Sequence, residues 1–228
     1  MIPKLDLHLH SQFSPCAEDV NIIDDARVAL EHGLRIIAIT DHGKVSRPSW
    51  LDSYFSELNR AKSIFGDRMI ILSGMEVDIV DRGSLAVSSE ILKSLDVVVA
   101  SLHEIPSNAD AVGYWRRSLL KVLSSGYVTL LGHPTDIGWK DLKIPKEYAL
   151  EVLDEARSNN VALELNFHHR DPKQWFLRLG IEMGVTIVAT SDAHNLREIG
   201  NLDWHEKQVR MVGFDPRDVN WIPYERFI

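Results

Sequence analysis

The feature that most constrains the fold is an alternation repeated seven times along the chain. A short apolar run ends in polar residues, and an amphipathic stretch separates it from the next. The strand-like runs cover residues 4–10, 35–42, 69–76, 96–103, 127–133, 161–166 and 186–192, and are rich in Val, Ile and Leu. Continuous apolar runs of this length predict strands buried on both faces, as in parallel sheets. Between them, Ile22, Ile23, Ala26 and Leu30 fall at helical spacing and Gly33 supplies a stop. Leu51, Tyr54, Phe55, Leu58 and Ala61 repeat the pattern, and Pro145 suits a helix first turn ahead of Ala149, Val152, Leu153 and Ala156. An open doubly wound sheet and a closed barrel both fit this alternation. The first run lacks a Gly-rich phosphate loop, which disfavours the nucleotide-binding open sheet.

Composition narrows the class. The 228 residues suit one barrel over 1–228, and 45% hydrophobic residues are enough for a sizeable core. No apolar stretch is long enough for a membrane span, and the strand pattern begins by Leu5, so no signal peptide is expected. The one cysteine, Cys16, excludes an internal disulfide and points to a reducing cytoplasm. A formal net charge of −8 disfavours stable nucleic-acid binding. Bound divalent ions would reverse the field locally, so a small phosphorylated substrate remains compatible.

The unusual residues fall at the strand ends. Six of the ten histidines sit at or just after one: His8, His10, His42, His103, His133 and His194, accompanied by Glu76 and Asp192. In a parallel barrel all C-terminal strand ends meet at one face, so these eight residues should converge. In 5–10, strict alternation would send Leu5, Leu7 and Leu9 towards the helices and Asp6, His8 and His10 into the barrel mouth. A single strand histidine is ordinarily a hydrogen-bonded core residue; six at equivalent places, with two carboxylates, read as metal ligands. Imidazole suits zinc, iron and manganese, and carboxylates widen the range towards manganese. Glu76 is the candidate bridge. Paired ions can activate water and stabilise both attacking and leaving oxygens, which suits phosphate esters.

At these residues the sequence resembles the PHP family, the polymerase and histidinol phosphatase group. The motifs are Asp6-Leu7-His8-Leu9-His10, Ile39-Thr40-Asp41-His42-Gly43, Gly74-Met75-Glu76, Ser101-Leu102-His103, Gly132-His133-Pro134, Leu163-Glu164-Leu165-Asn166 and Ser191-Asp192-Ala193-His194. The resemblance implies an α/β fold, a distorted TIM-like (β/α)7 barrel, with two or three divalent ions (Zn, Mn or Fe). It places His8, His10, Glu76 and Asp192 around the first ion, Glu76, His103 and His133 around the second, and His42 and His194 at a third. The nearest subgroup is the small standalone phosphatases (the YcdX-like type). That subgroup commonly carries a third-site histidine where this chain has Cys16; either Cys16, Glu18 or Asp19 completes the site, or Cys16 is a small buried residue and the third ion binds weakly or not at all. The implied reaction is hydrolysis of a small phosphate monoester, histidinol-phosphatase-like, through a metal-bound hydroxide.

Other residues have two readings each. His168, His169 and Arg170 follow the sixth strand; Arg170 and Arg197 are the candidates for gripping a substrate phosphate, against solvated surface readings. Lys44 and Arg47 are weaker candidates. Asp6 and Asp41 either orient an imidazole or serve as structural carboxylates. His32 and His205 are expected on helix surfaces, and the six tryptophans in core and rim. The competing functions are a nuclease on short oligonucleotides or DNA ends, an amidohydrolase acting on C–N bonds, and an inactive metal-binding module.

Overall fold

The fold is taken from a computed structural model that describes residues 1–138 and 142–228. The strands are β1 (Leu5–Leu9), β2 (Ile36–Ile39), β3 (His42–Gly43), β4 (Ile70–Val80), β5 (Ser84–Leu85), β6 (Val97–Ser101), β7 (Leu130–Leu131), β8 (Ala162–Asn166) and β9 (Ile187–Thr190). The helices are α1 (Ile22–Glu31), α2 (Leu51–Phe65), α3 (Ser89–Leu92), α4 (Ala111–Leu123), α5 (Lys146–Ser158), α6 (Gln174–Glu182) and α7 (Asp203–Met211). A 3-10 turn spans Tyr224–Phe227. Asn21 caps α1 by accepting from the Asp24 amide at 3.0 Å, and Gly33 (φ +80°) ends it as the sequence predicts. Among the described residues, no helix is long and apolar enough to cross a membrane.

Seven strands follow one another in the order β1-β2-β4-β6-β7-β8-β9, every pair parallel, so each expected run contributes one strand to a distorted TIM-like barrel. The ring closes at its C-terminal end, where the Asp192 amide donates to the His8 carbonyl (2.8 Å) and the His10 amide to the Ala193 carbonyl (3.1 Å). At the opposite end the C-terminal segment takes over. Ile187 and Ile222 exchange backbone bonds with it and with each other, the Ile187 amide to Asn220 and the Ile222 amide to Ile187, both at 2.8 Å. This seats Ile222 in the barrel floor, 1% exposed. Helices cover the outside through two larger apolar clusters, one under α1 and α2 and one under α4, α5 and α6.

The first strand departs from the expected alternation. Leu5 and Leu7 join a cluster with Ile36, Ala38, Val97, Val99, Leu130, Ala162 and Val188, built almost wholly from strands and therefore the barrel interior. Only Leu9 faces the helices. The cause is a bulge: Leu5 pairs with Ile36 and Asp6 with Ile37, but Leu9 pairs with Ile39. β1 spends one residue more than β2 over this interval, so the side-chain phase flips. Asp6 then points away from the mouth, while His8 and His10 point into it. Asp6 instead accepts the Ser191 amide (3.1 Å) and the His8 amide (3.3 Å), the structural reading of that carboxylate.

Two further expectations are corrected. Glu76 lies within β4, not at a strand end, because β4 runs four residues past it and pairs antiparallel with β5. His205 is not on the surface: it is 0% exposed, and its Nε2–H donates to the Thr190 carbonyl at 2.8 Å. α7 packs that side of the helix against the barrel wall, so the helical position gave no sign of exposure. His32 is exposed. Trp115 is fully buried, Trp175 is exposed and Trp50, Trp204 and Trp221 are half-buried, whereas Trp139 lies outside the described residues.

Burial pushes the His205 pKa down from 6.5 to about 4. A depressed imidazole contributes stability that is complete above the unfolded value of 6.5 and is lost as the pH falls through the folded value of about 4. The expected loss across that window is about 3 kcal/mol. His205→Gln keeps an N–H donor without the ionisation. Urea midpoints at pH 7.5 and 4.5 should fall less for this variant than for the wild type, and equal slopes would remove His205 as an acid-sensitive group.

Candidate metal centre

Glu76 stands on the inward phase of β4, two residues beyond Gly74 and four beyond Leu72. Gly74 lets the strands close in at this level: a Cβ there would stand 2.6 Å from Thr40 Cγ2 and 3.0 Å from the Val97 carbonyl. Glu76 is 1% exposed and is ringed by imidazoles from four other strand ends. Its Oε2 lies 2.8 Å from His42 Nδ1, 3.6 Å from His10 Nε2 and 3.7 Å from His8 Nε2. Its Oε1 lies 3.1 Å from His133 Nε2 and 3.2 Å from His103 Nε2. Asp192 faces the same space, with Oδ1 at 2.9 Å from His10 Nε2, 3.4 Å from His8 Nε2 and 3.7 Å from His194 Nδ1. All eight residues picked from the sequence are therefore brought together. Asp192 (φ +51°) and His133 (φ +20°) hold backbone conformations unusual for residues with side chains, a strain typical of functional sites.

A second ring of groups fixes the imidazoles. His8 Nδ1–H donates to Glu164 Oε1 (2.6 Å), His103 Nδ1–H to Asp78 Oδ1 (2.9 Å) and His133 Nδ1–H to the Asp136 carbonyl (3.3 Å). His10 Nδ1–H donates to Ser14 Oγ (2.9 Å), whose own proton goes to Asp41 Oδ1 (2.7 Å). Asp41 thus orients His10 through a serine, the orienting alternative of the two expected for it. In each case Nε2 is turned inward, unpartnered in His8 and His10 and facing Glu76 Oε1 in His103 and His133, the arrangement that raises a metal ligand's basicity and fixes its tautomer. Glu164 also accepts the His133 amide (2.8 Å) and Thr190 Oγ (2.7 Å), and Asn166 Nδ2 donates to Asp192 Oδ2 (2.9 Å).

The sequence reading did not single out Glu164, Asp78, Ser14 or Asn166 as functional. Glu164 and Asn166 carried a signal: two polar side chains at spacing two in the otherwise apolar β8, in phase with Ala162 of the barrel interior. The other two lie in a loop and beyond a strand's expected end. His169 also enters the site. Its ring stacks on His133 at 4.1 Å, its Nε2 is 3.5 Å from Asp192 Oδ2, and its Nδ1–H donates to Asp136 Oδ2 (2.7 Å). His168 stacks on His194 at 4.2 Å.

The electrostatics are those of a site missing positive charge. Burial raises the Glu76 and Asp192 carboxyls, but the His8 charge and the imidazole hydrogen bonds outweigh it and hold both well below the usual range. Burial likewise opposes charge on His8, yet Asp192, Glu164 and Glu76 together lift it well above 6.5. Against the same opposition, His42 and His194 rise to about 9, largely through Cys16, Glu76 and Asp192, and His103 to about 10 through Asp78 and Glu76. Of the eleven buried side-chain atoms without a hydrogen-bond partner among the described residues, five lie in this site: His8 Nε2, His10 Nε2, His42 Nδ1, Glu76 Oε2 and Asp192 Oδ1. Orphaned polar atoms this deep are costly unless something completes them. They converge, and a divalent cation supplies what they lack. Overlapping ligand groups among the described residues include His8–His10–Glu76, Glu76–His103–His133, His10–His42–His194 and His133–His169–Asp192.

The remaining candidates separate. The Arg170 guanidinium lies 3.7 Å from the Phe167 ring centroid and 5.2 Å from that of Trp204. Arg197 is exposed just beyond His194. Arg47 is spent on an exposed ion pair with Asp52 (2.8 Å), and Lys44 is exposed. The Asp19 carboxylate accepts the Leu196 amide (3.0 Å), and the Glu18 amide donates to the His194 carbonyl (2.9 Å), so both anchor the loop. Cys16 is exposed, and the imidazoles of His194 and His42 lower its thiol pKa to about 5 against the opposing effect of burial.

Comparison with known proteins agrees with this geometry. The PHP domain signature matches residues 6–168. The chain belongs to the PHP domain family. A probable phosphatase of Caldicellulosiruptor bescii is 31% identical over 100% of this chain and 95% of its own length. A probable phosphatase of Clostridium novyi (strain NT) is 29% identical over 87% of this chain and 82% of its own. Among solved structures, histidinol phosphate phosphatase from Lactococcus lactis, complexed with zinc, L-histidinol and phosphate, superposes with a TM-score of 0.70 at 25% identity, covering 94% of this chain and 95% of that one. As a PHP domain with this ligand array, the chain is a metal-dependent hydrolase.

Proposed function

We propose that this PHP domain, acting as one barrel over 1–228, is a phosphoesterase that hydrolyses a small phosphate monoester at a centre of two or three divalent ions. The observation that carries the reading is the set of five orphaned buried atoms converging between Glu76 and Asp192. His8, His10, Glu76 and Asp192 would hold one ion and Glu76, His103 and His133 a second, with His42 and His194 at a third. The split of Glu76, one oxygen towards His103 and His133 and the other towards His8, His10 and His42, suits a bridging carboxylate. Bound zinc, manganese or iron supplies activation of water near neutral pH and neutralisation of phosphate oxygens. The chain's own part is to hold bare Nε2 atoms in place and to grip the substrate. Arg170, stacked on Phe167, would offer its planar N–H edge to the phosphate, with exposed Arg197, three positions after His194, as the second candidate.

The Lactococcus relative's bound histidinol and phosphate support a small amino-alcohol phosphate as the substrate type. The net charge of −8 disfavours stable contact with long nucleic acid. Turnover of a generic aryl phosphate, abolished by chelator and restored by manganese or zinc, tests the class; binding of ions without turnover of any phosphate ester would favour an inactive module. Arg197→Ala should raise KM for the phosphate ester about tenfold with a smaller change in kcat, as loss of a charged hydrogen bond implies. An unchanged KM would remove Arg197 from the phosphate site.

A further inference from the structure

We propose that His168 and His169 form one wall of the substrate site, and that the buried carboxylate of Asp171 is the positioning residue that sets them there through Thr135. This rests on the phosphoesterase reading above and concerns side chains outside the proposed ligand sets. The two histidines occupy the middle of a turn closed at its base. The Asn166 amide donates to the Asp171 carbonyl (2.7 Å), and the Asp171 amide returns to the Asn166 carbonyl (3.3 Å). Within the turn, the His169 amide donates to Asn166 Oδ1 (2.8 Å). The Phe167 and His168 amides donate to the carbonyls of Thr190 and Ser191, at 3.0 and 3.1 Å, so the turn is also fastened to the end of β9.

The turn lays one ring over each of two proposed ligands. His169 stacks on His133 at 4.1 Å and His168 on His194 at 4.2 Å, both with ring planes 23° apart. Each is tied to an acid that follows its ligand in the chain. His169 Nδ1–H donates to Asp136 (2.7 Å), three positions after His133, and His168 Nδ1–H to Glu198 (3.1 Å), four after His194. Their side chains are 28% and 36% exposed, whereas His133 and Asp192 are buried. An ester reaching the ions from this side meets these two rings first, with His169 Nε2 standing 3.5 Å from Asp192 Oδ2.

Asp171 fixes the turn against the loop that carries His133. Asp171 is buried, and its carboxylate is spent on Thr135, which stands between His133 and Asp136. Oδ1 accepts the Thr135 amide (3.0 Å) and Oδ2 accepts its hydroxyl. Thr135 Oγ1 in turn accepts the Lys173 amide (2.8 Å), so the chain is held on leaving the turn as well. One carboxylate thus couples a ligand loop to the wall beside it. Asparagine at 171 would offer one accepting oxygen in place of two and turn an N–H towards Thr135. Moving the base of the turn moves both rings, and turnover is sensitive to misplacement of this kind.

A double-mutant cycle on the metal-loaded full chain, read in aryl phosphate turnover, tests this. His169→Ala and Asp171→Asn should each lower kcat/KM about tenfold, the scale of partners outside a ligand ring, with the metal content of the wild type. The double variant should be no worse than His169→Ala, because Asp171 acts through that ring. Thr135→Val, which keeps the shape and removes the hydroxyl, should show the same coupling to His169→Ala. Losses that multiply, a metal content that falls in Asp171→Asn, or a His169→Ala variant with unchanged kcat and KM would overturn the positioning role while leaving the phosphoesterase in place. A metal-loaded wild type that hydrolyses no phosphate ester would sink both.

Discussion

Glu76→Gln should lower kcat for an aryl phosphate by on the order of 10³-fold or more and cost the protein at least one bound ion. The size follows from position. Partners outside the ligand ring are worth about 10–100-fold each when removed. Glu76 is inside the ring, and its two oxygens stand within 3.7 Å of imidazoles from five residues. An amide keeps the shape but offers one weak acceptor and one donor, so a donor N–H is turned towards bare imidazole nitrogens or a cation. It also removes the buried charge that raises the pKa values of His8, His42, His103 and His133. Circular dichroism should show an intact fold, and elemental analysis should show the missing ion. Near-normal turnover with the wild-type metal count would contradict the bridging role.

Stripping the metals should abolish activity and lower Tm by about 10 °C relative to protein held in a thousandfold excess over Kd, about 4 kcal/mol of linkage spread over a domain of this size. The barrel itself should survive, since its three apolar clusters lie below and around the mouth. Removal should also consume protons. In the metal-free protein His42 and His194 titrate at about 9 and His103 at about 10, so at pH 7.5 these imidazoles take up protons as the ions leave. The sign runs the same way on reloading: metal affinity falls as the pH falls, and loading releases protons. Calorimetry in two buffers of different ionisation enthalpy measures that number. No proton exchange and no shift in Tm would mean that the imidazoles are not the ligands.

Much of this was legible in the residue pattern. Seven apolar runs became seven barrel strands because a strand buried on both faces must be apolar throughout, and that signal survives in any sequence. The eight ligand candidates met because parallel strands bring their ends to one face whatever their order in the chain. What escaped detection depended on contacts between distant segments. Glu164 matters only because β8 stands where its carboxylate reaches His8, 156 positions away. Ser14 matters only because Asp41 takes its proton. His205 was misjudged because α7 lies against the barrel with that side down, and a lone helical histidine does not announce which side is down. Asp6 and the leucines of β1 were assigned by strict alternation, which one extra residue defeats.

That extra residue separates two requirements that an unbroken strand would set against each other. Below it, odd positions fill the barrel with leucine; above it, even positions fill the mouth with histidine. Without the slip, the phase that buries Leu5 and Leu7 would turn His8 and His10 outward, and a centre built on them could not form. The motif is therefore not portable as five letters: grafting Asp-Leu-His-Leu-His onto a regular strand of another barrel would leave the imidazoles on one side and the greasy floor on the other. Strand β1 works as two half-strands with independent facing, and the floor can change its packing without rotating the chemistry above it.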